Sequence, residues 1–247
     1  MEVAALEPAH FIMERKMMRT IKRRAGGRLP ALRAIALILV ACAAVLAQAP
    51  DTSYFPCVEQ QRGMSQIEGP ALVSPDGHWR AYVRAEAENR SAPGVDCFNT
   101  TWLLAKASGD AAFQSVYVKK PEPYLQGNGL KLIAWSHKGH VLAAELRRWQ
   151  YGSDVGGLSP LLYDADKRRA WEPELDALFD KRFGKKCAFV IGRVIGFDSR
   201  DRVLFEAGDY FEEGDEEPVP ETRCLGQRGL WALDIPAGAL IEMPARP

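Results

Sequence analysis

Short apolar runs alternate with tight polar turns along most of the chain beyond position 60. Three stretches share one pattern: Leu72 to Val83 (LVSPDGHWRAYV), Ile133 to Leu146 (IAWSHKGHVLAAEL) and Ile195 to Ala207 (IGFDSRDRVLFEA). Each reads as apolar run, turn, apolar run, which predicts a β-hairpin. Ser74, Ser136 and Asp198 are equivalent, 62 residues apart from one to the next. Gly77, Gly139 and Asp201 follow three residues later. Pro75 presets a turn φ, and Gly77 accepts a positive φ without strain.

A further strand follows each hairpin, at Thr101 to Ala105, Pro160 to Tyr163 and Gly229 to Leu233. Each ends in a polar reversal. A fourth strand is predicted at Gln114 to Val118 and at Ala239 to Met243, and none is evident in the second unit. Residues 173–183 predict a helix instead: Leu175, Leu178, Phe179 and Phe183 share a face, and Gly184 supplies the stop. Stretches around 86–99, 148–158 and 208–228 read as insertions, and Gly127-Asn128-Gly129 reads as a loop.

The start of the chain has a different pattern. Basic residues run up to Arg33, an apolar stretch of 14 residues spans Ala34 to Ala47, and polar chemistry begins at Gln48. This is the layout of an export signal, with the apolar part short for a bilayer span. The expected division is therefore 1–49 as signal peptide or N-terminal anchor and 50–247 as a β-repeat domain. Leu39-Val40-Ala41-Cys42 also matches a lipoprotein box, which would acylate Cys42. All three outcomes place the remainder outside the cytoplasm: periplasmic, secreted or membrane-anchored, touching a membrane only through the N-terminal segment.

Charge sharpens this division. The formal net charge is zero, but residues 1–47 hold eight basic and three acidic side chains, leaving 24 basic and 29 acidic in the rest. The basic cluster belongs to the leader, so no nucleic-acid footprint is predicted. Apart from Cys42 there remain Cys57, Cys97, Cys187 and Cys224, without C-x-x-C spacing. In an oxidising compartment four cysteines predict two disulfides, with three connectivities open. Pairing within each repeat favours Cys57–Cys97 and Cys187–Cys224. Zinc-ligand spacing is absent from the sequence.

The turn Ser74-Pro75-Asp76-Gly77 with His78-Trp79 after it resembles the WD40-like PD40 repeat of TolB-type β-propellers and of the propeller domains of prolyl oligopeptidase-like enzymes. Trp135-Ser136-His137-Lys138-Gly139 keeps the aromatic, the serine and the glycine; Phe197 to Asp201 keeps the aromatic and the turn. The resemblance implies an all-β, mostly antiparallel fold of three four-stranded propeller-like repeats, to which the periodic face at 173–183 adds one short helix. Three blades leave open edges. A small closed barrel, an arc capped by its insertions and a six-bladed homodimer are the alternatives.

Catalytic motifs are few. His78, His137 and His140 sit in turns, and the sequence contains no H-E-x-x-H, G-x-S-x-G or Walker loop. Eight acids fall between Glu206 and Glu221, among them Glu212, Glu213, Asp215, Glu216 and Glu217. That run reads as a solvated loop, with a weak Ca²⁺ site or a contact for a basic partner as the sharper readings. Trp149 and Tyr151 are the candidate exposed anchors for a protein partner in the envelope. No catalytic residue, cofactor or metal is expected. These features point to an exported, non-enzymatic binding or scaffold protein of the envelope. The alternatives are a propeller-type hydrolase or lyase using loop carboxylates, and an envelope lipoprotein subunit.

Overall fold

In the computed structural model, residues 50–57, 61–91, 96–153, 155–209, 222–226 and 228–244 are described. The leader, with Cys42, lies outside these residues, as do Glu212, Glu213, Asp215, Glu216 and Glu217. Among the described residues the fold is mostly antiparallel β, in three sheets with one helix.

The first sheet holds β1 (Gly63–Glu68), β2 (Leu72–Val73), β3 (Trp79–Asn89), β4 (Cys97–Ala107) and β5 (Gln114–Lys119) in the order β1-β3-β4-β5, with β2 also on β3. The second runs β6 (Gly127–Trp135), β7 (Val141–Trp149), β8 (Gly156–Asp164) and β9 (Arg169–Trp171). Helix α1 (Leu175–Phe183) ends at Gly184, whose φ of 67° makes the left-handed stop. The third sheet runs β10 (Phe189–Phe197), β11 (Val203–Asp209), β12 (Gly229–Asp234) and β13 (Ala239–Glu242).

Strand alternation places the core. Leu142, Ala144 and Leu146 of β7 pack with Ala81, Val83 and Leu103 of the first sheet. Ala143, on the opposite face of β7, packs with Val203, Phe205 and Trp231 of the third sheet and with Leu175 and Phe179 of α1. The second sheet is thus covered on both faces, with alternate residues of β7 turned to opposite sides. Glu145 is buried among these strands, where its carboxylate accepts the N–H of Val194 at 3.2 Å.

The three predicted turns are equivalent in their hydrogen bonds. Gly77, Gly139 and Asp201 donate to the carbonyls of Ser74, Ser136 and Asp198 at 2.8, 2.9 and 3.0 Å. All three have positive φ: 71°, 77° and 59°. The side chains of Ser74, Ser136 and Asp198 accept the N–H groups of Trp79, Val141 and Arg202. The third turn closes one residue earlier than the other two.

Other expectations need correction. The stretches 86–99 and 148–158 are mostly strand: β3 and β4 pair from Trp79↔Ala107 to Asn89↔Cys97, and β7 pairs β8 as far as Trp149↔Gly156. The second sheet does have a fourth strand, the three-residue β9, too short to carry a period. Gly127-Asn128-Gly129 is the start of β6, not a loop. Glycine is needed there because neighbours come close: a Cβ on Gly127 would lie 2.0 Å from Trp149 Nε1, and one on Gly129 2.4 Å from the Ser53 carbonyl oxygen.

That second contact belongs to an N-terminal strap, residues 50–57. Leu130 donates its N–H to Thr52 at 3.1 Å, and the Thr52 hydroxyl donates to the Leu130 carbonyl at 2.6 Å. Cys57 ties the strap to β4 through a disulfide with Cys97. The second disulfide joins Cys187 to Cys224. Both pairings follow the repeat-wise expectation and fit an oxidising environment.

Candidate functional site: an arginine-lined cleft

A cleft of about 770 Å³ opens where the end of β7 and the start of β8 meet α1 and the start of β10. Its size falls within the ~300–1,000 Å³ of small-ligand sites. Arg147, Arg148 and Arg228 line it, with Glu172 and Asp176 as its acids and Trp149, Leu158, Leu175 and Phe189 as apolar surface.

Arg147 and Arg148 are consecutive on β7 and so leave the strand on opposite faces. Arg148 pairs closely with Glu172, just beyond β9. Glu172 also accepts the Tyr117 hydroxyl of β5 at 2.7 Å, so this network joins the first two sheets. Burial raises the Tyr117 phenol above its ordinary pKa, more than the nearby Arg148 lowers it. Arg147 stands 3.8 Å from the carboxylate of Glu145.

Arg228 is held differently. Its guanidinium lies across Gly192, where a Cβ would come within 2.9 Å of it, and its backbone lies against Gly208, where a Cβ would come within 2.8 Å. The register of β10 against β11 shifts at Gly192, which makes the bulge that the side chain crosses. Arg228 is exposed, with its guanidinium against the bulge, and it pairs with no carboxylate among the described residues.

The residues singled out from sequence are placed elsewhere. Trp149 is not an exposed anchor: it is 8% exposed, lies over Gly127 and has its ring centroid 4.9 Å from that of Tyr54. Tyr151 is half-buried and donates to Asn99 Oδ1. Burial first of all, with a smaller push from Tyr54, raises its phenol to about 12. Tyr151 therefore stays protonated and serves packing beside the Cys57–Cys97 disulfide. Among the described residues no group of three or more His, Cys, Asp or Glu could hold a metal. His78, His137 and His140 are exposed at the repeat turns.

Sequence reading passed over Arg147, Arg148, Arg228 and Glu172. The one signal for Arg228 was Gly192 and Gly208, two glycines within strands. Interior strand glycines mark bulges and close approaches.

No protein-family model matches the chain, and no curated protein does. A solved structure that does match is an AtxE2 isopeptidase variant with Astexin3-dC4 bound, at 16% sequence identity and a TM-score of 0.42. The match covers 81% of this chain, which spans 31% of the length of that protein. That protein is an isopeptidase, and the expectation of a non-enzymatic scaffold is not kept. A likeness this distant assigns no activity, substrate or residue role here.

Proposed function

We propose that residues 50–247 are the ligand-holding portion of an exported enzyme, and that the cleft takes a carboxylate-bearing ligand against Arg228. The observation that carries this reading is a guanidinium lining a cleft without an acid partner among the described residues. An unpaired cation beside apolar walls is a ready site for a carboxylate, which arginine can grip with two parallel hydrogen bonds. The two disulfides support export to the periplasm or beyond. The S-P-D-G turn and its two equivalents support a PD40-like arc, a repeat also found in the propeller domains of prolyl oligopeptidase-like enzymes.

Calorimetry with N-acetyl-trileucine tests the site. The acid should bind, its C-terminal amide should bind about tenfold or more weakly, and Arg228→Ala should erase that difference, because a charge-assisted bond contributes ~1.5–3 kcal/mol. Equal affinity for acid and amide overturns the carboxylate site. The enzymatic half is read by mass spectrometry of the same peptide in envelopes from cells with and without the chain. Identical recovery in both overturns it.

A further inference from the structure

The cleft holds a second charge without a partner. Asp176, in the first turn of α1, lines it; its exposed side chain forms no ion pair or hydrogen bond with any other described residue. The other lining acid, Glu172, is taken by Arg148. Arg147 has the carboxylate of Glu145 at 3.8 Å. Two opposite charges therefore stand in one cleft without closing on each other. The backbone of Arg228 lies against Gly208 and its guanidinium against Gly192. Apolar surface from Trp149, Leu158, Leu175 and Phe189 shares the cleft with them.

We infer that the ligand is a zwitterion with an apolar body, of the class of a short hydrophobic peptide with both ends free. Its carboxylate meets Arg228 and its ammonium meets Asp176. This rests on the carboxylate reading of Arg228 and adds the second anchor. A ligand with one charge would engage only one of these two exposed groups and forgo a charge-assisted bond to the other. A zwitterion satisfies both. Asp176 also favours the N-terminus of α1, where Glu174 makes no side-chain cap. That role would appear in stability and would not depend on the ligand's amine.

The test is calorimetry on the full chain with trileucine, N-acetyl-trileucine and trileucine amide, against the native protein, Arg228→Ala and Asp176→Asn. Trileucine should bind the native protein about tenfold more tightly than its N-acetyl form, the step expected for one charged hydrogen bond. Asp176→Asn should abolish that step and keep the preference for acid over amide. Arg228→Ala should do the reverse. If acetylation leaves native affinity unchanged while amidation lowers it, the zwitterion inference fails and the carboxylate site stands. If amidation has no effect, both fail. The ligand series on the native protein decides even if a variant folds poorly. A urea midpoint for Asp176→Asn separates helix stabilisation from ligand contact.

Discussion

Asp201 of the third repeat turn accepts the backbone N–H of His137, in the second turn, at 2.7 Å and also faces its Nδ1 at 3.0 Å. The first turn reaches the second in a comparable way: a Cβ on Gly139 would lie 3.0 Å from the Asp76 carboxyl. Turns 62 residues apart in sequence are therefore neighbours in space. Asp201→Ala removes a charged acceptor and leaves a positive φ that alanine tolerates poorly. It should cost about 1–3 kcal/mol in urea denaturation. Asn accepts both the φ and the hydrogen bond, so Asp201→Asn should cost less than half as much. His137→Ala keeps the backbone bond and should cost least.

The strap gives a second expectation. Gly129→Ala would place a methyl 2.4 Å from the Ser53 carbonyl oxygen, a backbone atom that can yield only by moving the strap. Strain of this kind costs ~1–3 kcal/mol. Thermal melting should fall, and the emission of Trp149, which packs against Tyr54 of the strap, should shift to the red. Gly109→Ala, where a Cβ would meet nothing within 4 Å, is the control and should leave the emission unchanged.

The disulfides close segments of similar length, 40 and 37 residues. The chain-entropy model gives each about 3–4 kcal/mol. Cys57→Ser with Cys97→Ser, and separately Cys187→Ser with Cys224→Ser, should lower the urea midpoint by similar amounts. Only the first pair should also expose Trp149 to a quencher, because Cys57 anchors the strap that covers it. Equal quenching in both double variants would contradict that assignment.

These cases also show what the chain made readable and what it hid. The turns were legible because each repeats a local requirement: a side-chain acceptor at Ser74, Ser136 and Asp198, and a positive φ three residues on. The helix was legible from Leu175, Phe179 and Gly184, a periodic face and a stop. The cleft was not, because its parts come from β7, β8, α1, β10 and the segment before β12, and no local pattern links Arg228 to Gly192. Gly127-Asn128-Gly129 misled for a related reason. Glycines that make room for Trp149 and Ser53 look, in sequence, like glycines that make a turn.

Acid and alkali should act at different places. The Asp198 carboxyl is pushed up by burial, but the Arg202 guanidinium and the N–H groups of Arg202 and Arg200 outweigh this and hold it below the usual range. A depressed folded value adds stability that is fully present above the unfolded value of ~3.9 and is lost as pH falls through the folded one. Asp51 and Asp164 shift the same way. Urea midpoints should thus hold from pH 7 to about 5 and fall below 4, less steeply in Asp198→Asn. For Tyr151 the sign reverses. Its raised value of about 12 means stability is full below the unfolded value of ~10 and drains as pH rises between the two. Tyr151→Phe should flatten that alkaline limb.

Glu172 organises the wall of the cleft that faces the first sheet. It accepts from Arg148 and from the Tyr117 hydroxyl, and Ser159 Oγ lies 3.4 Å away. The side chains of Arg148 and Glu172 are 19% and 29% exposed, so the pair is screened only in part. Glu172→Gln keeps the shape and one acceptor but removes the charge, leaving Arg148 with a weak bond to Ser159 at 3.3 Å. The expected loss is about 1–2 kcal/mol, between the ~0–1 of surface pairs and the ~3–5 of buried ones. Arg148→Met with Glu172→Met replaces both partners by apolar groups and should recover most of that loss, because no charge is left unpaired. A double variant as unstable as the single one would mean that Glu172 acts mainly through Tyr117. In that case Tyr117→Phe should reproduce the full effect.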